Sequence, residues 1–305
     1  MRLLFLFMDG IGLGEKNPEA NPFARAKMPN LNKLLDGRSL LKDAAPFHGD
    51  HASLLAIDPA VGVHGLPQSA TGQAILLTGI NIPAELGYHY GPKPNPEVAA
   101  YLREATLFSR FIKEGKKATL LNAYPPRYFA GIDSGKRLYS SIPQAVVNAG
   151  LPLFKQDDLF SGRALSADFT GEGWRRMLGF AEAPMMDAHQ AGRKLATLAK
   201  EYAFSLLEYW ASDYAGHKQQ TENAIHLMET FDGVLGGLVD NWEDDGLILV
   251  TSDHGNMEDL STRRHTEADV PALVIGNKSA REEFTRGMKD LTDIAPAIWK
   301  TVMKE

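Results

Sequence analysis

Acidic side chains and histidines recur at short spacings in four places of this sequence. They are Asp9, the pair Asp213 and His217, the pair Asp253 and His254, and His265. Mixed carboxylate and imidazole sets suit Zn²⁺ or Mn²⁺, and two such ions side by side clamp a phosphoryl group during in-line displacement. A single aspartate after a strand is also an ordinary turn residue. The prediction of a two-metal centre therefore depends on all four clusters lying together.

A fifth candidate is Ser69, in the turn Gln-Ser-Ala-Thr-Gly that ends at Gly72. A helix is predicted to begin at this serine, and the free N–H groups and positive dipole of a helix start favour a phosphate. A serine hydroxyl is a weak nucleophile at neutral pH, and metal coordination promotes its deprotonation. Serine is equally a preferred helix-capping residue. Thr71, in the same turn, is the alternative nucleophile.

The clusters follow predicted strands at positions where an α/β sheet gathers its functional groups. Short apolar segments predict strands at 3–8, 203–210, 246–255 and 271–276, and helical spacing predicts helices from Ser69, over 186–201 and over 217–242. Strands that alternate with helices predict an α/β fold with a largely parallel sheet. In such sheets, functional groups lie at the carboxyl ends of the strands.

Length and composition predict two domains. The chain has 305 residues, about twice the roughly 150 residues of a typical domain. Residues 92–98, Pro-Lys-Pro-Asn-Pro-Glu-Val, mark a change of composition typical of a boundary. We therefore expect a discontinuous core domain, 1–91 and 186–305, and a smaller α+β domain inserted at 92–185. The boundaries also predict hinges near 91–96 and 183–187.

Charge, cysteine content and hydropathy exclude several classes of protein. The net charge is −6, which argues against a nucleic-acid partner. The sequence has no cysteine, so disulfides, zinc fingers, thiolate nucleophiles and a cysteine-derived formylglycine are excluded. The apolar run from Leu3 to Met8 is shorter than the roughly 7–15 residues of a secretory signal, and no segment approaches the roughly 18 of a membrane span. We expect a cytoplasmic protein without a membrane partner.

Three familiar motifs fail on inspection. Gly10, Gly12 and Gly14 begin a dinucleotide-binding pattern, but Glu15 stands where its third glycine is required. Gly135 and Lys136 resemble part of a phosphate loop, yet Ala130 occupies the earlier glycine position. The Ser69 turn also lacks the pattern of a sulfatase.

In order along the chain, the motifs resemble the alkaline phosphatase superfamily. They are Asp9-Gly10, the Ser69 turn, Asp213-x-x-x-His217, Thr-Ser-Asp253-His254-Gly-Asn256 and His265-Thr-x-x-x-Val-Pro271. The branch that looks most similar is that of cofactor-independent phosphoglycerate mutase and phosphopentomutase. The resemblance covers roughly 1–90 and 186–305, and it implies a three-layer α/β/α core. The middle segment lies where that branch carries an inserted cap domain.

The resemblance also implies a role for each matching residue. One metal ion would be held by Asp213, His217 and His265. The other would be held by Asp9, Asp253 and His254, with Ser69 as both ligand and nucleophile. A phosphoserine would form and pass its phosphoryl group to water or to a second hydroxyl. The cofactors are thus two divalent ions, Mn²⁺ or Zn²⁺.

Basic residues of the middle segment are candidates to bind the oxyanions of a small phosphorylated metabolite: Arg127, Lys136, Arg137 and Arg163. Each is also an ordinary solvated surface charge. His64, His89 and Lys93 are predicted to be structural.

Two enzyme functions remain open, a phosphatase and a phosphosugar or phosphoglycerate mutase. A phosphodiesterase or phosphonate hydrolase is a further variant of this chemistry. A different class of protein, a non-catalytic metal-binding relative, is the other alternative.

Overall fold

The structure is a computed structural model that describes residues 1–242 and 246–304. Within them, seven strands form one sheet in the order β2-β3-β7-β6-β1-β5-β4. The strands are β1 (Arg2–Met8), β2 (Phe47–His48), β3 (Ala52–Ile57), β4 (Ala118–Leu120), β5 (Phe204–Tyr209), β6 (Gly246–Thr251) and β7 (Val270–Ile275).

The sheet is largely parallel, as predicted. Strands β6, β1, β5 and β4 are parallel neighbours. Strand β7 runs antiparallel to both β6 and β3, and β2 is antiparallel to β3. The strand predicted at 271–276 is therefore present, but it points against its neighbours. The carboxyl ends of β1, β5 and β6 meet at one edge, directly before Asp9, Asp213 and Asp253.

Helices cover both faces of this sheet. The described helices are α1 (Pro29–Leu34), α2 (Ser69–Thr78), α3 (Ile82–Leu86), α4 (Pro96–Glu104), α5 (Leu107–Lys113), α6 (Pro126–Asp133), α7 (Ser141–Asn148), α8 (Gln156–Phe160), α9 (Glu172–Arg176), α10 (Ala188–Ala199), α11 (Ala211–Lys218), α12 (Thr221–Val239), α13 (Lys278–Phe284) and α14 (Ile294–Met303). Short 3₁₀ turns occupy Pro22–Ala24, Lys42–Ala44 and Leu291–Asp293.

Side chains that alternate along β1 enter two separate cores. Leu4, Leu6 and Met8 pack with α1, α10 and α12 on one face. Leu3, Phe5 and Phe7 pack with α2, α4, α5, α7 and α14 on the other. Because successive residues of a strand point to opposite faces, a strand that is apolar throughout is buried on both sides. This is the three-layer α/β/α arrangement that the resemblance implied.

The first half of the middle segment is part of the main sheet and its helical layer. Strand β4 pairs with β5 in parallel. Phe108 and Phe111 of α5 lie 5.3 Å, between ring centroids, from Phe204 of β5. The hinge expected near 91–96 is therefore wrong, because the aromatic core binds the residues that follow it to the sheet. The hinge expected near 183–187 stays a prediction.

The second half of that segment has a small core of its own, formed by Ala123, Leu159, Ala164, Trp174 and Ala183. The division into domains 1–91 with 186–305 and 92–185 stays a prediction.

The predicted helix over 217–242 is in fact two helices. Helix α11 ends at Lys218, and α12 begins at Thr221 after Gln219, whose positive φ of 53° interrupts the helix. The segment before His217, outside the predicted helix, is helical from Ala211. This change matters for the site because Asp213 and His217 then lie one turn apart on the same helix face. Among the described helices, none has both the length and the apolar character needed to cross a membrane.

Candidate metal centre

Three segments converge on one group of side chains. They are the loop after β1, the helix after β5 and the loop that joins β6 to β7. The hydroxyl of Ser212 donates to the carbonyl of Asp9 over 2.6 Å. The N–H of Ile11 donates to the Ser252 hydroxyl over 2.9 Å, and the N–H of Met257 donates to the carbonyl of Gly10 over 2.9 Å. These contacts bind the three strand ends to one another.

Two overlapping sets of three side chains have ligand atoms within 4.8 Å of one another. They are Asp213, His217 and His265, and Asp9, Asp213 and His254. The first set is the one that the resemblance implied. In the second set, Asp213 takes the place expected for Asp253, because Asp213 lies between the two groups. Asp253 remains close, with Oδ2 at 3.6 Å from His254 Nε2.

All three histidines have one ring nitrogen against a backbone carbonyl. His217 Nδ1 lies 2.7 Å from the carbonyl of Arg263, and His265 Nδ1 lies 2.7 Å from that of Pro67. His254 Nδ1 lies 3.3 Å from the carbonyl of Gly255. Because a carbonyl oxygen only accepts hydrogen bonds, Nδ1 is the protonated nitrogen. Nε2 is therefore the nitrogen that each neutral ring can offer to a cation.

Nε2 of each ring faces carboxylates. His217 Nε2 lies 3.2 Å from Asp213 Oδ2, and His265 Nε2 lies 3.8 Å from Asp213 Oδ1. His254 Nε2 lies 3.4 Å from Asp9 Oδ1. The His254 and His265 rings stack with centroids 3.7 Å apart. The arrangement presents imidazole nitrogens and carboxylate oxygens to a common space.

Several of these polar atoms are buried without a hydrogen-bond partner. They include Asp9 Oδ1 and both carboxylate oxygens of Asp253. Burying a carboxylate without a partner is costly unless a cation compensates it. Burial, and then the charge of Asp213, raises the pKa of Asp253 to about 8. Burial, and then the charge of Asp253, raises the pKa of Asp9 well above its usual range. The residues thus fit divalent cations.

Two other ligand candidates, His254 and Asp213, are already in the state that a metal requires. Burial, and then the charge of His265, lowers the pKa of His254 to about 3, so the ring is neutral at pH 7. Burial raises the pKa of Asp213, but hydrogen bonds from His217 and Asn256 outweigh it, leaving that pKa at about 2. Asp213 is therefore ionised. Neutral imidazoles and ionised carboxylates are the forms that bind metals.

Ser69 lies at the first position of α2, and its hydroxyl lies 3.0 Å from His254 Nε2. Gln68 holds the capping position, so the interpretation of Ser69 as a helix cap does not apply. The hydroxyl of Thr71 points elsewhere, donating to the carbonyls of Gln68 and Tyr90. Ser69 is thus the hydroxyl that faces the histidine and carboxylate group.

The four basic candidates of the middle segment are all exposed. Arg163 forms an ion pair with Asp158, with Nη2 at 2.7 Å from Oδ1. Arg137 lies over the ring of Tyr128, with Cζ at 4.8 Å from its centroid. Its charge lowers the pKa of Lys93, a half-buried residue close to Asp9. Of the four, Arg137 is the one that these contacts connect to the metal centre.

Sequence reasoning missed two residues that hold the ligand loops in place. The buried carboxylate of Glu258 accepts hydrogen bonds from the N–H of Gly12, the N–H of Asn256 and the hydroxyl of Thr266. Asn256 Nδ2 donates to Asp213 Oδ1 over 2.6 Å. The motif around Asn256 contained this amide, but its partner is 43 residues away in sequence, so the contact has no local signal.

Two further missed residues, Lys93 and Glu208, interact electrostatically with Asp9. The charge of Glu208 contributes to the raised pKa of Asp9, after burial and the two neighbouring aspartates. Glu208 is the second-last residue of β5, and Lys93 was predicted to be structural. Their position follows from strand pairing and loop packing, which the sequence does not display.

Known proteins with similar sequences were found for part of the chain. Residues 177–305 match the sequence model of the family described as Metalloenzyme superfamily. A 2,3-bisphosphoglycerate-independent phosphoglycerate mutase from Vibrio atlanticus is 32% identical over 125 residues. That match covers 38% of this chain and 24% of the relative, so it spans about a quarter of the relative's length.

Two solved structures are similar across nearly the whole chain. Alkaline phosphatase from the Antarctic bacterium TAB5 superimposes with a TM-score of 0.55 at 15% identity, covering 99% of this chain and 98% of that one. A Leishmania mexicana phosphoglycerate mutase, determined at low cobalt concentration, has a TM-score of 0.52 at 12% identity, covering 100% and 95%. At these identities the likeness shows the fold alone. The resemblance is therefore confirmed: the chain has an alkaline phosphatase-like fold, and its residues 177–305 carry the sequence pattern of the Metalloenzyme superfamily.

Proposed function

We propose that this protein is a two-metal-dependent phosphotransfer enzyme that acts on a small phosphate ester through a phosphoserine at Ser69. We infer that it is a phosphatase or a phosphomutase-like hydrolase. The observation that carries the proposal is the Ser69 hydroxyl, which lies 3.0 Å from His254 Nε2 and faces buried, unpartnered carboxylate oxygens. A helix start, a hydroxyl and a cation-binding group then meet at one point.

In this proposal, Asp213, His217 and His265 hold one divalent ion, and Asp9, Asp253 and His254 hold the other together with Ser69. When bound, Mn²⁺ or Zn²⁺ would neutralise charge on the phosphoryl oxygens and favour ionisation of the serine.

The backbone N–H groups at the start of α2 orient the phosphoryl group, and Asn256 keeps Asp213 in position. The deprotonated Ser69 oxygen attacks phosphorus, the ester P–O bond breaks and the leaving alcohol takes up a proton. Water then cleaves the phosphoserine, releasing phosphate and restoring the hydroxyl.

A mutase is the second candidate, because curated relatives that match part of the chain are phosphoglycerate mutases. A mutase would return the phosphoryl group to another hydroxyl of the substrate. Arg127, Lys136, Arg137 and Arg163 are the proposed substrate contacts, with Arg137 favoured by its position.

The test is metal analysis of the purified protein together with phosphate release from phosphosugars, phosphoglycerates and a chromogenic monoester. We expect two equivalents of Mn²⁺ or Zn²⁺, and release that falls by about three orders of magnitude or more in Ser69→Ala. The Thr71→Val variant serves as the control for the alternative nucleophile.

Each alternative has its own outcome. Undiminished release by Ser69→Ala would contradict the nucleophile assignment. Isomerised products without net release would indicate a mutase. Two bound metals with neither activity would indicate the non-catalytic relative.

A further inference from the structure

The segment 90–93 lies directly against the start of the helix that carries Ser69. The N–H of Thr71 donates to the carbonyl of Tyr90 over 3.0 Å. A Cβ atom added to Gly91 would lie 3.2 Å from the backbone nitrogen of Ser69. Lys93 follows two residues later, so its backbone is held next to the proposed nucleophile.

The ammonium group of Lys93 lies among charged groups without pairing with any of them. Burial lowers the pKa of Lys93, the charge of Glu208 raises it, that of Arg137 lowers it and that of Asp9 raises it. Within residues 1–242 and 246–304, no hydrogen bond or ion pair of this side chain is found. A half-buried lysine in such a position is available to a bound anion.

Glu208 and two tyrosines form the other side of this space. Tyr124 donates its hydroxyl to Glu208 Oε1 over 2.6 Å. Its ring stacks on Tyr128 with centroids 4.4 Å apart, and Arg137 covers the Tyr128 ring. The Tyr128 hydroxyl is buried without a hydrogen-bond partner. The group therefore offers an acceptor carboxylate, rigid aromatic faces and cations within one small region.

The charges of this region do not balance. Lys93 and Arg137 contribute two positive charges, and Glu208 contributes at most one negative charge. Asp9 is also close, but it belongs to the proposed metal ligands. Surplus positive charge next to a phosphoryl site attracts a further anion, and the carboxylate of Glu208 accepts hydrogen bonds from hydroxyl groups.

We propose that Lys93, Arg137 and Glu208 form a subsite for the organic part of the phosphate ester, which carries hydroxyl groups and a second anionic group. That group is a carboxylate or a second phosphate, since both present the same oxyanion chemistry. This inference rests on the proposed function, because it places the subsite beside the phosphoryl group.

Binding is measured by calorimetry in the Mn²⁺-loaded Ser69→Ala protein, so that turnover does not interfere. Glycerol 3-phosphate and 3-phosphoglycerate form a matched pair that differs by a carboxylate. Fructose 6-phosphate and fructose 1,6-bisphosphate form a pair that differs by a phosphate. We expect the more anionic member of one pair to bind about tenfold to a hundredfold more tightly, the value of a charge-assisted hydrogen bond. The pair that shows the preference identifies the second anion.

Adding Lys93→Met should reduce that preference to nearly none, whereas Lys116→Met, at an exposed lysine before β4, should leave it intact. Equal binding of both members in both pairs would overturn the proposal. So would a Lys93→Met protein that bound all four esters more weakly by the same factor, because Lys93 would then act on the transferred phosphoryl group. Phosphate release by the wild type tests the proposed function separately.

Discussion

Gly10 lies next to Asp9 in a position that only glycine fits. Its φ is +68°, in the left-handed region, and a Cβ atom added there would lie 2.7 Å from Asp213 Oδ1. The loop after β1 and the helix after β5 can approach each other this closely because Gly10 has no side chain. One glycine thus sets the distance between candidate ligands from two strands.

Gly10→Ala should weaken metal binding at least about tenfold, the usual effect of disturbing the support of a ligand. The new methyl group would displace Asp213, and the left-handed backbone would add roughly 1–2 kcal/mol of strain. Metal titration and thermal unfolding measure the two effects. Gly37→Ala is the matched control: its φ is +86°, but no atom lies within 4 Å of the added Cβ. It should lose stability and keep its metal affinity. Equal metal affinity in both variants would contradict the role assigned to Gly10.

At the scale of elements, the candidate ligands belong to loops that a single carboxylate connects. Glu258 accepts from Gly12 after β1 over 2.9 Å, from Asn256 after β6 over 2.8 Å and from Thr266 before β7. Each of these loops carries a candidate ligand within three residues of the contact. Three hydrogen bonds to one buried carboxylate therefore fix the relative positions of the loops.

Glu258→Gln should lower metal affinity by about tenfold to a hundredfold and destabilise the fold by about 1–3 kcal/mol. The amide has one acceptor oxygen, which can face either the two N–H groups or the Thr266 hydroxyl, so it cannot accept all three hydrogen bonds, and it accepts more weakly than a carboxylate. Metal titration and denaturant unfolding provide the measurements. Glu267→Gln, at an exposed glutamate of the same loop, should change neither. A variant that lost stability but bound metal normally would mean that Glu258 only holds the loops together.

At the scale of the whole molecule, buried charge makes the stability of the chelated protein depend on pH. In the folded state the pKa of Asp253 is raised to about 8 by burial and the charge of Asp213. The folded state then holds a proton that the unfolded chain has released above about pH 4. The contribution of Asp253 to the free energy of unfolding therefore falls as the pH rises toward 8. His217 acts in the same direction, because its hydrogen bond to Asp213 raises its pKa.

Two other groups, His254 and Asp213, determine the pH range in which this fall in stability is expected. The pKa of His254 is lowered to about 3, so its contribution rises with pH only up to its unfolded value near about 6.5. Asp213, with a pKa of about 2, is ionised in both states across this range. Between about pH 6.5 and pH 8, Asp253 and His217 therefore dominate the change of stability with pH.

After treatment with a chelator, the melting temperature should fall between pH 6.5 and pH 8. Added Mn²⁺ or Zn²⁺ should flatten or reverse this slope, because metal binding requires the deprotonated ligands. Calorimetric melting at constant ionic strength, with and without metal, measures both slopes. A chelated protein that became more stable toward pH 8 would contradict the assignment.

The sequence by itself determined the residue types, the strands and their order along the chain. Apolar runs predicted β1, β5, β6 and β7, and the motif spacing placed Asp9, Asp213 and Asp253 after three of them. Local patterns suffice for this, because burial on both faces of a strand leaves a continuous apolar segment. The α/β class and the alkaline phosphatase resemblance followed from those patterns alone.

The tertiary structure decided which distant groups meet. It placed β4 in the main sheet, so the hinge predicted near 91–96 was wrong, because apolar residues of the first half of the middle segment are buried against β5. It also placed Lys93 where the charge of Glu208 acts on it, and it joined Glu258 to Gly12 in the loop after β1. The members of both pairs are far apart in sequence, and only packing and strand order bring such residues together.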